Sequence, residues 1–248
     1  MFWQEDGSSP PVERVAEVVD VSFAVRGRCL PATYAAELAA ALGRQLPPAV
    51  GVAQVGVRVT HLPDSGHGWW RDKGQPILLS RRARLVLRVG RDLVAELQQL
   101  SGTALVVDGV ELQLGDVRLE ELSGAETLYA HRVIEPQEAM VAADNPAIRQ
   151  GEVSQGGSGR GGEQGDTEVL ERAFMVAVRE QLQAVGVQPR RMLCGRREWL
   201  ATSGGWLATR SLLVDGMSSE AGLRLQESGL GGGSEWGCGF FVPHKAVV

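Results

Sequence analysis

"GLGGGSEWGCGFFVP", Gly229 to Pro243, carries six glycines in its first eleven residues and then runs straight into a short apolar segment. Upstream, Ser218 is placed to cap a short helix through Leu223 and Leu225 that stops near Gly229. The glycine run therefore joins a helix to a strand. A phosphate-cradling P-loop runs the other way, from strand to helix, with Lys-Ser/Thr behind it. Neither that lysine nor a GxGxxG opening a helix is present, which argues against nucleotide binding. The fold is set by what could need a helix, a glycine loop and a closing strand in that order.

Working back, "TLYAHRVI" (Thr127 to Ile134) reads as a strand, and Asp166 as the cap of a helix with Leu170, Phe174, Ala177 and Leu182 on one face. Strands "RRMLCGRREWLA" and "GWLATRSLLVDG" meet at Ser203-Gly204. With the capped helix and "GCGFFVP" this makes β-α-β-β-α-β. The first half has the same shape. Val19, Val21, Phe23 and Val25 alternate with polar or small residues as in a half-buried strand. Pro31 opens a helix with Tyr34, Leu38, Ala41 and Leu42 along one face. "VGVRVTHL" is a second strand and "ILLSRRARLVLRV" a long third one. "RDLVAELQQLSG" is a helix ended by Gly102, and "TALVVDGVELQL" a hairpin about Asp108-Gly109. The expectation is an α+β fold of two tandem ferredoxin-like (RRM-like) βαββαβ modules. It assigns 1–17 to a tail, 18–124 and 125–248 to the two modules, and 145–165, too polar and glycine-rich to bury a core, to a disordered insertion.

The 248 residues suit one large domain or two small ones, and the 44% hydrophobic content is ordinary for a soluble globular protein. No apolar run approaches the roughly 18–20 residues of a membrane span, and "MFWQEDGSSPP" has no secretory or transit character, so a cytoplasmic protein is expected. Cys29, Cys194 and Cys238 lie far apart without a CxxC pair, which reads as small buried hydrophobes rather than a disulfide framework or zinc site. The net charge of −5 weighs mildly against nucleic acid. Yet of 25 basic residues only Lys73 and Lys245 are lysine. Codon bias accounts for that. Guanidinium also suits bidentate phosphate contacts.

Three stretches, "LRLQESGLGGGSEWGCGFFVPHK", "LLSRRARLVLRV" and "ETLYAHRV", resemble the CRISPR-associated endoribonucleases of the sixth Cas family, in particular its myxobacterial (MYXAN) subtype. The likeness runs from about Val19 to Lys245, the insertion excepted. It implies a protein that binds CRISPR repeat RNA, cuts precursor crRNA without metal or other cofactor, and often keeps the product. Repeat RNA or crRNA is then the partner, with other subunits of an effector complex as further partners and no membrane. A crRNA-binding subunit that cuts weakly or not at all is the alternative. An unrelated ferredoxin-like enzyme or interaction module is a third class.

The glycines of the closing loop let backbone N–H groups approach a phosphate, and Gly231, Gly232, Gly233, Ser234 and Trp236 are taken as RNA-binding candidates. Relatives place basic residues in this loop, whereas here Glu235 stands beside Ser234 and Trp236. Arg82, Arg84 and Arg88 share a strand face with Ser80. They form either a backbone track for RNA or a solvated face paired to carboxylates. Arg190, Arg191, Arg196 and Arg197 form a second basic cluster, while Arg172 and Arg179 fit a solvated helix face.

Metal-free cleavage uses the RNA 2′-hydroxyl as nucleophile, so the protein must move protons and stabilise a phosphorane. Histidine suits the proton steps. The resemblance favours His61 and then His67, although Arg58 also aligns where the subtype's histidine is expected. Lys73 is the candidate for charge stabilisation and Tyr34 for orienting the phosphate. His131 reads as a sheet-face partner of Tyr129 and His244 as a fraying tail. Trp69 and Trp70 suit either base stacking or packing on the sheet.

Overall fold

The computed structural model describes residues 14–48, 50–60, 75–135, 140–141 and 162–244. His61, His67, Trp69, Trp70 and Lys73 lie outside the described residues, as does most of the stretch expected to be an insertion.

In the first half, β1 (Val18–Arg26) is followed by the two-residue β2 (Cys29–Leu30), α1 (Tyr34–Gln45) and β3 (Gly56–Thr60). Next come β4 (Ile77–Leu78), β5 (Arg84–Gly90), the short α2 (Val94–Gln98), β6 (Ala104–Val107) and β7 (Val110–Glu121). The sheet order is β3-β5-β1-β7-β6 with every pairing antiparallel. Its first four strands follow the ferredoxin arrangement. β6 is an addition, held by a tight hairpin in which Asp108 and Gly109 both take positive φ, 48° and 75°. In the second half, β8 (Thr127–Ile134), β9 (Met140–Val141) and α3 (Gly162–Ala184) precede β10 (Arg191–Thr202), β11 (Gly205–Asp215), α4 (Ser219–Ser228) and β12 (Phe241–Pro243). Here the order is β10-β11-β8-β12, again antiparallel, with β9 on β11. The α+β architecture of two ferredoxin-like modules is as expected.

Each sheet buries one face. Val21, Phe23, Leu85 and Leu87 of the first meet Leu38 and Leu42 of α1 and Leu97 of α2. In the second, Leu128, Ala130, Leu212 and Val214 meet Phe174, Val178 and Leu182 of α3 and Leu225 of α4. These positions repeat at period two in strands and at three to four in helices, as the sequence pattern requires. A third, smaller cluster lies between the modules, where Ala35 of α1 packs with Leu200 of β10, Leu207 of β11 and Cys238.

Several boundaries differ from expectation. The long strand 77–89 is broken. Ser80 O accepts from Ala83 N at 3.0 Å and Ser80 Oγ from Arg82 N at 3.2 Å, closing a turn between β4 and β5. Helix α1 begins at Tyr34 rather than at Pro31. Helix α3 starts at Gly162, so Asp166 lies inside it and does not cap it. The α4 cap is as read: Ser218 Oγ accepts from Ala221 N at 3.2 Å. The closing strand is only Phe241–Pro243, because Gly237 to Gly239 belong to the turn before it.

Candidate nucleic-acid interface

The face of the first sheet turned away from its core is polar, and strand register gives its layout. One row runs Gly56, Arg88, Asp20, Glu120 and the next Arg58, Val86, Ser22, Arg118. Arg88 does not lie on an open arginine stripe. It is 7% exposed, binds Asp20 bidentately through Nε at 2.7 Å and Nη2 at 2.9 Å, and uses Nη1 on two carbonyls of the second module. These are Gln226 O at 3.1 Å and Phe241 O at 2.8 Å. Its guanidinium also stands over the Phe240 ring, 3.9 Å from the centroid. A carbonyl on the edge strand β12 is thus satisfied by a side chain from the other module.

The rest of the expected stripe divides likewise. Arg84 donates to Ser22 Oγ at 2.5 Å and Ser22 O at 2.6 Å. Burial, together with Arg118, pulls its guanidinium below its ordinary value. Arg82 is exposed in the turn and not on the strand. Arg58 is half-buried. Burial, reinforced by Arg88 and opposed by Asp20 and Glu120, lowers its pKa as well.

The second module carries its own buried charge cluster, and the sequence reading missed its centre. Glu135, 4% exposed, accepts from Arg210 Nε at 2.6 Å and from Arg197 Nε at 3.1 Å, and pairs also with Arg197 Nη2. Arg210 is 2% exposed and gives Nη1 to Gly195 O at 3.1 Å. Arg197, expected with the RNA-binding cluster, is thus held by a carboxylate. Arg190, Arg191 and Arg196 are exposed. Arg190 and Arg191 border a cavity with Arg179, floored by Met175, Leu182 and Met192. This brings Arg179, read as plain helix surface, beside the other two.

The glycine loop lies at the junction of the modules. Ser234 Oγ donates to Ala53 O at 3.3 Å, across to the first module. Gly237 N and Cys238 N turn back onto Ser234 O and Gly233 O, both at 3.0 Å, and Gly239 N binds Arg132 O of β8 at 2.7 Å. The amides of Gly231, Gly232 and Gly233 have no main-chain acceptor among the described residues, and Gly231 and Gly232 are exposed. Gly232 has φ 69°, and a Cβ there would meet nothing. Gly239, at φ 64°, is the opposite case, since a Cβ would land on the Leu230 carbonyl. Part of the glycine content therefore serves close packing, and part leaves N–H groups without a main-chain acceptor among the described residues. Trp236 is half-buried against the small inter-module cluster with Ile134, which is packing rather than an open stacking surface.

Tyr34 starts α1 and packs half-buried on the first core. His131 is exposed on β8 beyond Tyr129. His244 is not a loose tail: its N–H donates to Thr127 O at 3.0 Å and its ring lies 5.8 Å from that of Tyr129. The cysteines are free thiols, and burial pushes the Cys238 thiol up to about 12. No helix among the described residues is long and apolar enough to cross a membrane.

Two ferredoxin-like modules, locked together by a buried arginine and bridged by a glycine-rich helix-to-strand loop, define a paired-module fold with its open groups at the seam. Comparison with known proteins gives the same result. The model of the Cas6 CRISPR family matches residues 19–151 and 163–246, and the chain belongs to that family. The CRISPR-associated endonuclease Cas6 of Myxococcus xanthus is 29% identical over 225 residues, covering 91% of this chain and 81% of that one. A solved CRISPR-associated protein Cas6 aligns over 92% of this chain and 100% of its own at a TM-score of 0.51 and 11% identity, which bears on fold alone. The myxobacterial likeness read from the three motifs holds.

Proposed function

We propose that this protein binds CRISPR repeat RNA and cleaves precursor crRNA without a metal ion. The observation that carries the reading is the position of the glycine loop. Its amides at Gly231 to Gly233, without a main-chain acceptor among the described residues, lie where the two modules meet, in a chain of the Cas6 family whose Myxococcus relative is named an endonuclease. Open amides of this kind receive phosphate oxygens. Arg82, Arg190, Arg191 and Arg196 would supply further backbone contacts, whereas Arg84 is already engaged on Ser22. The two modules are taken as 18–124 and 125–248, after a tail at 1–17 and with an insertion at 145–165, and the protein as cytoplasmic, where the transcript is made.

In the reaction the ribose 2′-hydroxyl loses its proton to a base and attacks the adjacent phosphorus. The P–O5′ bond breaks, the 5′-oxygen takes a proton, and a 2′,3′-cyclic phosphate remains. His61 and His67 are assigned to the proton steps, Lys73 to the phosphorane charge and Tyr34 to orienting the phosphate. A weakly cleaving or non-cleaving crRNA-binding subunit is the second reading. It is favoured by Glu235 within the loop and by the carboxylates that already hold Arg88 and Arg197.

The test is single-turnover cleavage of the cognate repeat RNA in EDTA. Cutting should occur, and a 2′-deoxy substitution at the nucleophile should abolish it. Cleavage of the deoxy substrate would remove the mechanism, and tight binding without cleavage would select the second reading. Alanine replacements of His61, His67 and Lys73 that all cut normally would remove the residue assignment.

A further inference from the structure

Three arginines on the polar face of the first sheet are partly or wholly covered: Arg88 is buried, and Arg58 and Arg84 are half-buried. Two have their donors engaged, Arg84 on Ser22 and Arg88 on Asp20 and two carbonyls. Arg58 has no hydrogen bond and no ion pair among the described residues. Its guanidinium carbon lies 5.9 Å from the Phe240 centroid, on a ring that Arg88 already covers at 3.9 Å. Its strand neighbours across the sheet are Val86 and Ser22, not carboxylates. The carboxylates facing this region are Asp20, bound bidentately by Arg88, and Glu120, exposed on β7.

A desolvated cation beside another cation, with its donors unused, costs free energy in the isolated protein. Such an arrangement is compensated when a ligand brings the counter-charge. The surroundings say where that ligand lies. Gly56 of the same strand lies under Phe240, the Val57 carbonyl lies against Gly237, and Ser234 bonds Ala53 just upstream. Arg58 therefore borders the same loop whose Gly231 to Gly233 amides lack a main-chain acceptor among the described residues.

We propose that Arg58 is a phosphate receptor of the inter-module groove, its guanidinium donating two N–H bonds to non-bridging oxygens of an RNA phosphate held beside the glycine loop. The planar fork matches that geometry, whereas an ammonium meets it as a point charge. This rests on the RNA-binding reading given above.

The experiment uses the full-length protein and a repeat RNA with a 2′-deoxy at the cleavage site, so that binding is measured without cutting. Arg58→Gln should weaken binding about ten- to hundred-fold and reduce the slope of log K against log salt by about 0.7. Arg58→Lys should keep the slope while losing affinity. Free of RNA, Arg58→Gln should be at least as resistant to urea as the wild type, because it removes a half-buried charge that no carboxylate holds among the described residues. An unchanged salt slope and affinity in Arg58→Gln would overturn the proposal, as would a urea midpoint that falls while RNA binding holds. If wild-type protein does not bind the repeat, the underlying reading fails instead.

Discussion

Arg88 Nη1 reaches the Phe241 carbonyl across 2.8 Å, joining β5 of one module to β12 of the other. The same guanidinium holds Asp20, so one side chain fixes both the polar face of the first sheet and the seam. The cation is thus consumed by structure, where its sequence context left open an RNA track or a face paired to carboxylates.

Replacing Arg88 by alanine leaves the Asp20 carboxylate, 13% exposed, without its partner and strips two carbonyls of their donor. Stability should fall by roughly 3–5 kcal/mol, read as a lower urea midpoint. Arg88→Ala combined with Asp20→Ala should recover part of the loss, because no isolated charge remains.

The loop glycines should separate into two kinds. Gly239→Ala drives a methyl into the Leu230 carbonyl at a left-handed position and should cost roughly 2–5 kcal/mol. Gly232→Ala meets open space and should cost only about 1–2 kcal/mol. Thermal melts of the two variants side by side provide the comparison. Equal losses would mean that Gly239 is not held as tightly as its geometry requires.

Exposed Arg190 and Arg191 should contribute through charge alone. The double alanine variant should lower the salt dependence of RNA binding by about 1.4 in slope, near 0.7 per neutralised phosphate. Its melting temperature should not move. Fluorescence anisotropy across a salt series measures this, and a line unchanged in slope and affinity would place the two arginines off the RNA path.

Cys238 titrates near 12 in the folded chain against an ordinary value of 9.0, with burial as the main cause. The native state therefore holds this proton more tightly than the unfolded one. The stabilisation is complete below pH 9 and is lost as pH rises toward 12, at about 1.4 kcal/mol per pH unit within that window. Urea midpoints at pH 8 and pH 10 should diverge less in Cys238→Ala than in the wild type. The native thiol should also resist alkylation at pH 8.

Periodicity carried the fold. The alternation of Val19 to Val25 and the Ser218 cap each set an element where the chain has one, and Asp108-Gly109 set the β6–β7 hairpin. Alternation also put Arg84 and Arg88 correctly on one face. It could not say whether that face meets solvent or a second module, because strand phase is local and the apposition is not. Glu135 and Arg210 lie 75 residues apart and meet only through the β8–β11 register, so a charged residue at an inward phase of β11 was the sole signal. Trp236 sits in a loop without period, and its burial follows from the loop's path alone.

The seam joins residues that are far apart in the chain. Phe241 O, which docks on Arg88, lies 153 residues further along the chain than its donor. Synthesis runs from the amino terminus, so the first module can fold long before its companion is complete. Until the residues around Phe241 are made, Arg88 can hold only Asp20, and the contact between the modules waits for the second half of the chain.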